Sequence, residues 1–179
     1  EVAGTIYEEM MDFAKYAFNK SHAACYAVVS YQTAYLKYYY PVEFMAALLT
    51  SVIDNPGKVS EYILTCRSMG IKILPPDINE GEAGFSVSGG SIRYALTAIK
   101  GVGRPVIDQV TAEREARGPF LSIQDFVTRM ADSEVNKRTV ENFIKSGTFD
   151  GLGGTRKQFM SVFVQMMDAQ QHNKKNNLA

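Results

Sequence analysis

Apolar residues recur at helical spacing over most of this 179-residue chain. Ile6, Met10 and Phe13 fall on one face of a helix predicted over residues 2–16. A polar break at 18–22 follows, with Ser21 as the expected N-cap of a long apolar helix reaching Tyr40. Pro41 stops that helix and suits the first turn of the next, over 42–53. Asp54-Asn55-Pro56-Gly57 heads a further helix over 58–69, closed by Gly70. The pattern then changes to strand. Ile71–Leu74 is a short β-prone run closed by Pro75-Pro76, and alternation on either side of Gly89-Gly90 predicts a β-hairpin. Helical spacing returns after residue 98. Ser122-Ile123-Gln124-Asp125 is a capping-box-like start for a helix through Met130. Asn136 starts another with Val140, Phe143 and Ile144 inward. A last helix is expected over Thr155–Met167, before a polar tail at Gln170–Ala179. The predicted fold class is mostly α with a small β-hairpin, divided into residues 1–90 and 91–179.

One stretch has more than packing in it. AIKGVGRPVIDQVTAEREARG, residues 98–118, leads apolar positions into Gly101-Val102-Gly103 and continues at once into an amphipathic run. A tight turn between helices calls for positive φ, and both glycines are expected to serve it while leaving their amides bare. The turn opens a helix whose first N–H groups have no intrahelical partner and lie at the positive end of its dipole, which suits a phosphate oxygen. This is the pattern of a helix-hairpin-helix, and such a contact grips nucleic-acid backbone without reading bases. Lys100 and Arg104 flank the glycines as further phosphate contacts, with Arg114, Arg117 and Lys137 as more distant basic candidates. The plainer reading of the glycines is an ordinary αα-turn. A second glycine-bounded turn, 146–153, resembles a degenerate copy, with Arg156 and Lys157 beside it; it is expected mainly to pack against the first. Two such units make a compact four-helix body.

Charge supports a localised polyanion contact. The net charge is zero, which argues against a protein that wraps DNA over its whole surface. Residues 1–90 carry 6 Lys/Arg against 10 Asp/Glu, a net of −4, and residues 91–179 carry 13 against 9, a net of +4. The glycine hairpin lies in the basic half. Cys25 and Cys66 sit in apolar helical patterns without a partner at metal-ligand spacing, and both are expected to be buried thiols in a reducing compartment. The apolar run 23–49 is interrupted by Lys37, Pro41 and Glu43 and should not span a membrane. The chain starts with Glu1 and ends in a polar tail, so both ends are expected to be cut from something larger.

Several motifs in a fixed order carry a resemblance. FNKSHAACYAVVSYQTAYLKYYYPVEFMAALLTSVID (18–54), ILPPDIN (73–79), IRYALTAIKGVG (92–103) and FIKSGTFDGLG (143–153) together resemble the alpha subunits of bacterial DNA polymerase III, the DnaE-type C-family polymerases. The resemblance covers essentially the whole chain. It departs from the family at Ala17, where glycine is usual, at Cys25, where alanine is usual, and at Tyr38 and Tyr39.

The resemblance implies a distal fingers segment in the first part and a tandem helix-hairpin-helix region in the second. It implies that Asn19, Lys20 and His22 lie at the edge of the nucleotide pocket of the full polymerase, with Lys20 balancing phosphate charge and His22 donating a hydrogen bond. Spacing alone reads the same three residues as a helix cap with a satisfied histidine. Implied partners are duplex DNA bound through its backbone, an incoming deoxynucleotide, and the rest of polymerase III in the cytoplasm, with no membrane role. Mg²⁺ is implied for the parent enzyme, on palm carboxylates outside this chain, and no cofactor is expected in this piece, which is expected to be inactive alone. The clamp-binding peptide of the family lies beyond Gln170-Gln171-His172-Asn173. Two rival readings remain at this level. One is a stand-alone DNA-binding module of an uptake or repair protein, which leaves 18–54 unexplained. The other is a helical protein-interaction domain.

Overall fold

The structure is a computed structural model and describes residues 2–15 and 20–177. The chain divides into two compact units, Glu1–Pro41 and Val42–Ala179. The turn at Gly89-Gly90 lies inside the second unit.

The first unit holds α1 (Val2–Lys15) and α2 (Lys20–Tyr39). Helix α2 begins at Lys20, so Ser21 is its second residue and not its cap. Asn19 lies outside the described residues. No residue of α2 is buried. Ile6, Met10, Phe13, Tyr31 and Tyr38 are all exposed. Cys25 is exposed too, against the buried thiol expected from its apolar neighbours. A helix pattern fixes which residues share a face; it does not supply the surface that covers the face.

The second unit starts with α3 (Pro41–Ser51) and α4 (Pro56–Ser68). Asn55 caps α4 by accepting from the Lys58 amide at 3.1 Å. At the other end the Ile71 amide reaches back to the Cys66 carbonyl at 2.8 Å and Gly70 adopts φ +74°, a Schellman ending. Strands β1 (Ile73–Leu74), β2 (Ser86–Ser88) and β3 (Ser91–Arg93) form a sheet of order β1-β3-β2. The predicted hairpin is the antiparallel β2–β3 pair, with Val87 opposite Ile92, and β1 adds a parallel edge with Ile73 opposite Ile92. Asp77 closes the loop after Pro75-Pro76 by accepting from the amides of Asn79 and Glu80 at 2.8 and 3.0 Å.

A 3₁₀ turn at Leu96–Ala98 leads to four helices, α5 (Arg104–Arg117), α6 (Ile123–Arg129), α7 (Lys137–Ser146) and α8 (Arg156–Asn177). Ser122 and Asn136 cap α6 and α7 by accepting from Asp125 and Thr139 amides, both at 3.0 Å. Helix α8 runs ten residues past the expected end at Met167, through most of the polar tail. Gln, Asn and Lys carry no helix stop where Gly and Pro are absent, and Gln170 ties back to the Thr128 hydroxyl at 2.9 Å.

Two apolar clusters hold this unit. One joins α3, α4 and the sheet through Met45, Leu49, Cys66, Phe85 and Ile92. The other lies among α5–α8, with Phe126 central: its ring meets those of Phe120, Phe143 and Phe149 edge-on at centroid distances of 5.0 to 6.1 Å. Ala95 belongs to the first cluster and Leu96 to the second, so the segment leading into the glycine hairpin is anchored on both sides.

Candidate nucleic-acid interface

The glycine hairpin joins the Leu96–Ala98 turn to the start of α5. Its two glycines do different work. Gly101 has φ +77°, a conformation that costs an L-residue about 1–2 kcal/mol. Gly103 has φ −83° and ψ 154° and is the N-cap of α5. It does not serve a positive φ, contrary to the expectation from sequence. A Cβ on Gly103 would meet only Pro105 Cδ at 3.6 Å, so the fold itself tolerates a side chain there. The absence of one leaves the α5 terminus bare.

Val102 stands apart from its neighbours. Its side chain is buried in the four-helix cluster, and its amide donates to the Ile99 carbonyl at 3.1 Å. A candidate DNA contact from its place in the Gly101-Val102-Gly103 motif, it is instead the anchor that holds the loop on the core. Lys100, Gly101, Gly103 and Arg104 are exposed. Among the described residues, no carbonyl or side chain accepts from the amides of Gly101, Gly103 or Arg104, and no side chain caps α5. Pro105, second in the helix, has no N–H to leave unmatched. The result is a short run of unpaired donors at the positive end of a 14-residue helix, the electrostatic arrangement that favours an anion.

Arg104 makes a 3.3 Å ion pair with Asp108, both side chains well exposed. Such a pair is worth little in water and leaves the guanidinium able to swing to a phosphate. The more distant basic candidates are engaged elsewhere. Arg114 is an internal strut: its guanidinium donates to the carbonyls of Ile78 and Gly81 at 3.2 and 2.9 Å and pairs with Glu82 at 2.7 Å. Arg117 pairs with Glu113 at 2.5 Å and Lys137 with Asp168 at 2.6 Å.

The second turn repeats the first in outline. A 3₁₀ turn at Asp150–Leu152 leads to Gly153 at φ +78°, then Gly154, Thr155 and Arg156, matching Gly101, Val102, Gly103 and Arg104. The difference lies at the cap. Thr155 accepts from the Gln158 amide at 3.3 Å while Gln158 Oε1 accepts from the Thr155 amide at 2.9 Å, a reciprocal capping box. Arg156 forks onto Asp150 at 2.6 and 2.9 Å. A Cβ on Gly154 would lie 2.5 Å from the Phe159 ring. In this copy the Thr155 amide, the counterpart of Gly103, the Gln158 amide and the Arg156 cation are already matched within the protein.

Residues on α7 complete the surroundings of the first hairpin, and the sequence pattern did not single out most of them. Asn142 donates from Nδ2 to the Lys100 carbonyl at 2.8 Å. A Cβ on Gly101 would lie 3.1 Å from that Nδ2 and 3.7 Å from Arg138 Nε. A groove alongside is lined by Pro76, Tyr94, Lys100, Asn142, Lys145 and Ser146. The signal that would have found Asn142 and Arg138 is the helical spacing of 138, 142 and 145 on the face of α7 opposite its buried stripe.

In the first unit, Lys20 is exposed at the start of α2, and the His22 ring lies 4.4 Å from that of Tyr26. Tyr31, Tyr35 and Tyr39 follow at four-residue intervals with centroid distances of 6.4 and 4.5 Å. Among the described residues no group of three His, Cys, Asp or Glu side chains is placed to hold a metal ion, and no helix is long and apolar enough to cross a membrane.

The bare-amide hairpin between helices defines a helix-hairpin-helix protein. The chain belongs to that family, whose motif matches residues 70–159. Over nearly its whole length it is also similar to bacterial DNA polymerase III alpha subunits. It is 43% identical to DNA polymerase III subunit alpha of Chlamydia trachomatis serovar D over 97% of the chain, 44% identical to that of Mycobacterium tuberculosis over 92%, and 44% identical to that of Thermus aquaticus over 90%. The resemblance drawn from the four sequence motifs is thereby borne out. The chain spans about 14% of the length of these curated relatives.

Proposed function

We propose that this chain is the part of a bacterial replicative polymerase alpha subunit that holds duplex DNA by its backbone, independently of sequence. The observation that carries this reading is the run of unmatched amides at Gly101, Gly103 and Arg104, set on a helix terminus beside Lys100. A phosphate oxygen there accepts hydrogen bonds from rigid backbone donors, and neighbouring cations screen the next phosphates along the strand. Residues 91–179 act as the tandem helix-hairpin-helix region, in which the first hairpin binds and the second, capped by Thr155, packs.

Residues 1–90 belong on this reading to the fingers of the polymerase. Asn19, Lys20 and His22 would frame the incoming deoxynucleotide, Lys20 by offsetting phosphate charge and His22 by donating to it. The exposed apolar positions of α1 and α2 support a role against further polymerase sequence. The chemistry of the whole enzyme is template-directed nucleotide addition in the bacterial cytoplasm. The Mg²⁺ it requires would assist attack by the primer 3′-hydroxyl at carboxylates outside this chain. Alone, the chain adds no nucleotide.

The test is a titration of labelled duplex DNA at several salt concentrations. Backbone binding weakens log-linearly with salt and to the same degree for unrelated sequences. Affinity that is insensitive to salt, or confined to one sequence, contradicts the reading.

A further inference from the structure

Eight arginines occur in the chain. Six of them, Arg93, Arg104, Arg114, Arg117, Arg129 and Arg156, form ion pairs with carboxylates. Among the described residues Arg67 and Arg138 have no such partner. Arg67 is exposed in the last turn of α4. Arg138 is exposed in the first turn of α7, with Nε and Nη2 at 3.7 and 3.9 Å from where a Gly101 Cβ would stand. Helix α7 divides sharply. Thr139, Val140, Phe143 and Ile144 are buried, and positions 138, 142 and 145 form a polar stripe on another face. Asn142 on that stripe is bonded to Lys100, and Lys145 is paired with Glu141 at 2.5 Å. Of the two cations on that stripe, Arg138 has no ion-pair partner among the described residues, and its guanidinium lies beside the hairpin backbone at Gly101.

We infer that Arg138 is a phosphate ligand of the same site, reaching from α7 to the backbone segment received by the Gly101–Arg104 amides, with Asn142 as a positioning residue that fixes the hairpin against it. The inference rests on the duplex-binding reading and adds a second wall to it. A guanidinium offers a planar fork of donors to phosphate oxygens. A phosphate between amides and guanidinium would be held from two elements at once, which fixes the strand's direction as well as its position.

The experiment titrates a short labelled duplex with the full chain, comparing the parent with Arg138→Gln, Arg138→Lys and Arg67→Gln over a salt series. Expected are a roughly tenfold loss for Arg138→Gln and a salt slope smaller by about 0.9, the value for one phosphate contact. Arg138→Lys keeps the slope and loses part of the affinity, and Arg67→Gln matches the parent. Thermal unfolding of each variant separates binding from folding, and the lysine variant serves if glutamine unfolds the chain. If Arg138→Gln binds as the parent does, or Arg67→Gln loses as much, the inference fails while the duplex reading stands. If the parent itself shows no salt-dependent binding, the duplex reading fails first.

Discussion

Asn142 and Lys100 lie 42 positions apart in sequence, and the Asn142 side-chain amide donates to the Lys100 carbonyl at 2.8 Å. This bond ties the loop that ends in bare donors to the helix that packs beneath it. Replacing Asn142 by Ala removes one hydrogen bond without changing charge. Stability is expected to fall by about 1 kcal/mol, and duplex affinity several-fold with the salt slope unchanged. Unfolding midpoints and a salt-series titration check both parts. A changed slope would mean that Asn142 contributes through charge placement and not through loop geometry.

The two hairpin glycines should respond differently to substitution. Gly101→Ala forces an L-residue into φ +77° and crowds Asn142 Nδ2, so it should destabilise the fold by about 1–2 kcal/mol. Gly103→Ser has an allowed backbone and supplies the cap that α5 lacks. It should stabilise the fold by about 0.3 kcal/mol, the serine oxygen accepting from the Val106 amide, while weakening duplex binding, because a side chain then stands over the bare terminus. Opposite signs for stability and affinity, read by thermal unfolding and by titration, are the signature of a cap withheld for a ligand.

Glu113 accepts from both Arg117 and Arg129, and these hydrogen bonds hold its carboxyl below the ordinary value of 4.5. The sign follows from linkage. A carboxyl with a lowered folded-state pKa adds stability in full above pH 4.5, and that contribution is lost as pH falls through the lowered value. Glu113→Gln should therefore be less stable than the parent at neutral pH, with the gap in unfolding midpoint closing below pH 4.5. A gap independent of pH would assign the effect to packing around Arg129, which also stacks over the Phe120 ring at 4.3 Å.

The two thiols should separate cleanly in a labelling experiment on the folded chain. Burial pushes the Cys66 thiol up from its ordinary value and removes it from solvent, whereas Cys25 is exposed. One thiol equivalent should react rapidly, with Cys66 reacting only on unfolding. Fast reaction of both would contradict the packing of α4 against the sheet.

Much of this was legible from residue order. Asn55, Ser122 and Asn136 announced helix starts because a short polar side chain before an apolar periodic run has a specific backbone job. Gly101 marked a turn because only glycine is at ease there. What escaped reading depended on partners distant in sequence. Arg114 looked like a surface cation and is a strut for the 78–82 loop, since its acceptors are carbonyls more than thirty positions away. Gly103 looked like a second turn glycine because composition does not separate positive φ from bareness. Arg138 is conspicuous only once six of the other arginines are seen to be paired and its place beside Gly101 is known. Cys25 lies in an apolar sequence pattern, yet no residue of its helix is buried.

The central claim is that backbone amides of the first hairpin are the DNA contact. The direct measurement is a duplex titration followed by backbone amide NMR of the isotope-labelled chain. The account predicts that the Gly101, Gly103 and Arg104 amide resonances shift progressively with added duplex, while Thr155 and Gln158 at the second hairpin stay in place. Binding that moves other amides and leaves those three unchanged would contradict it.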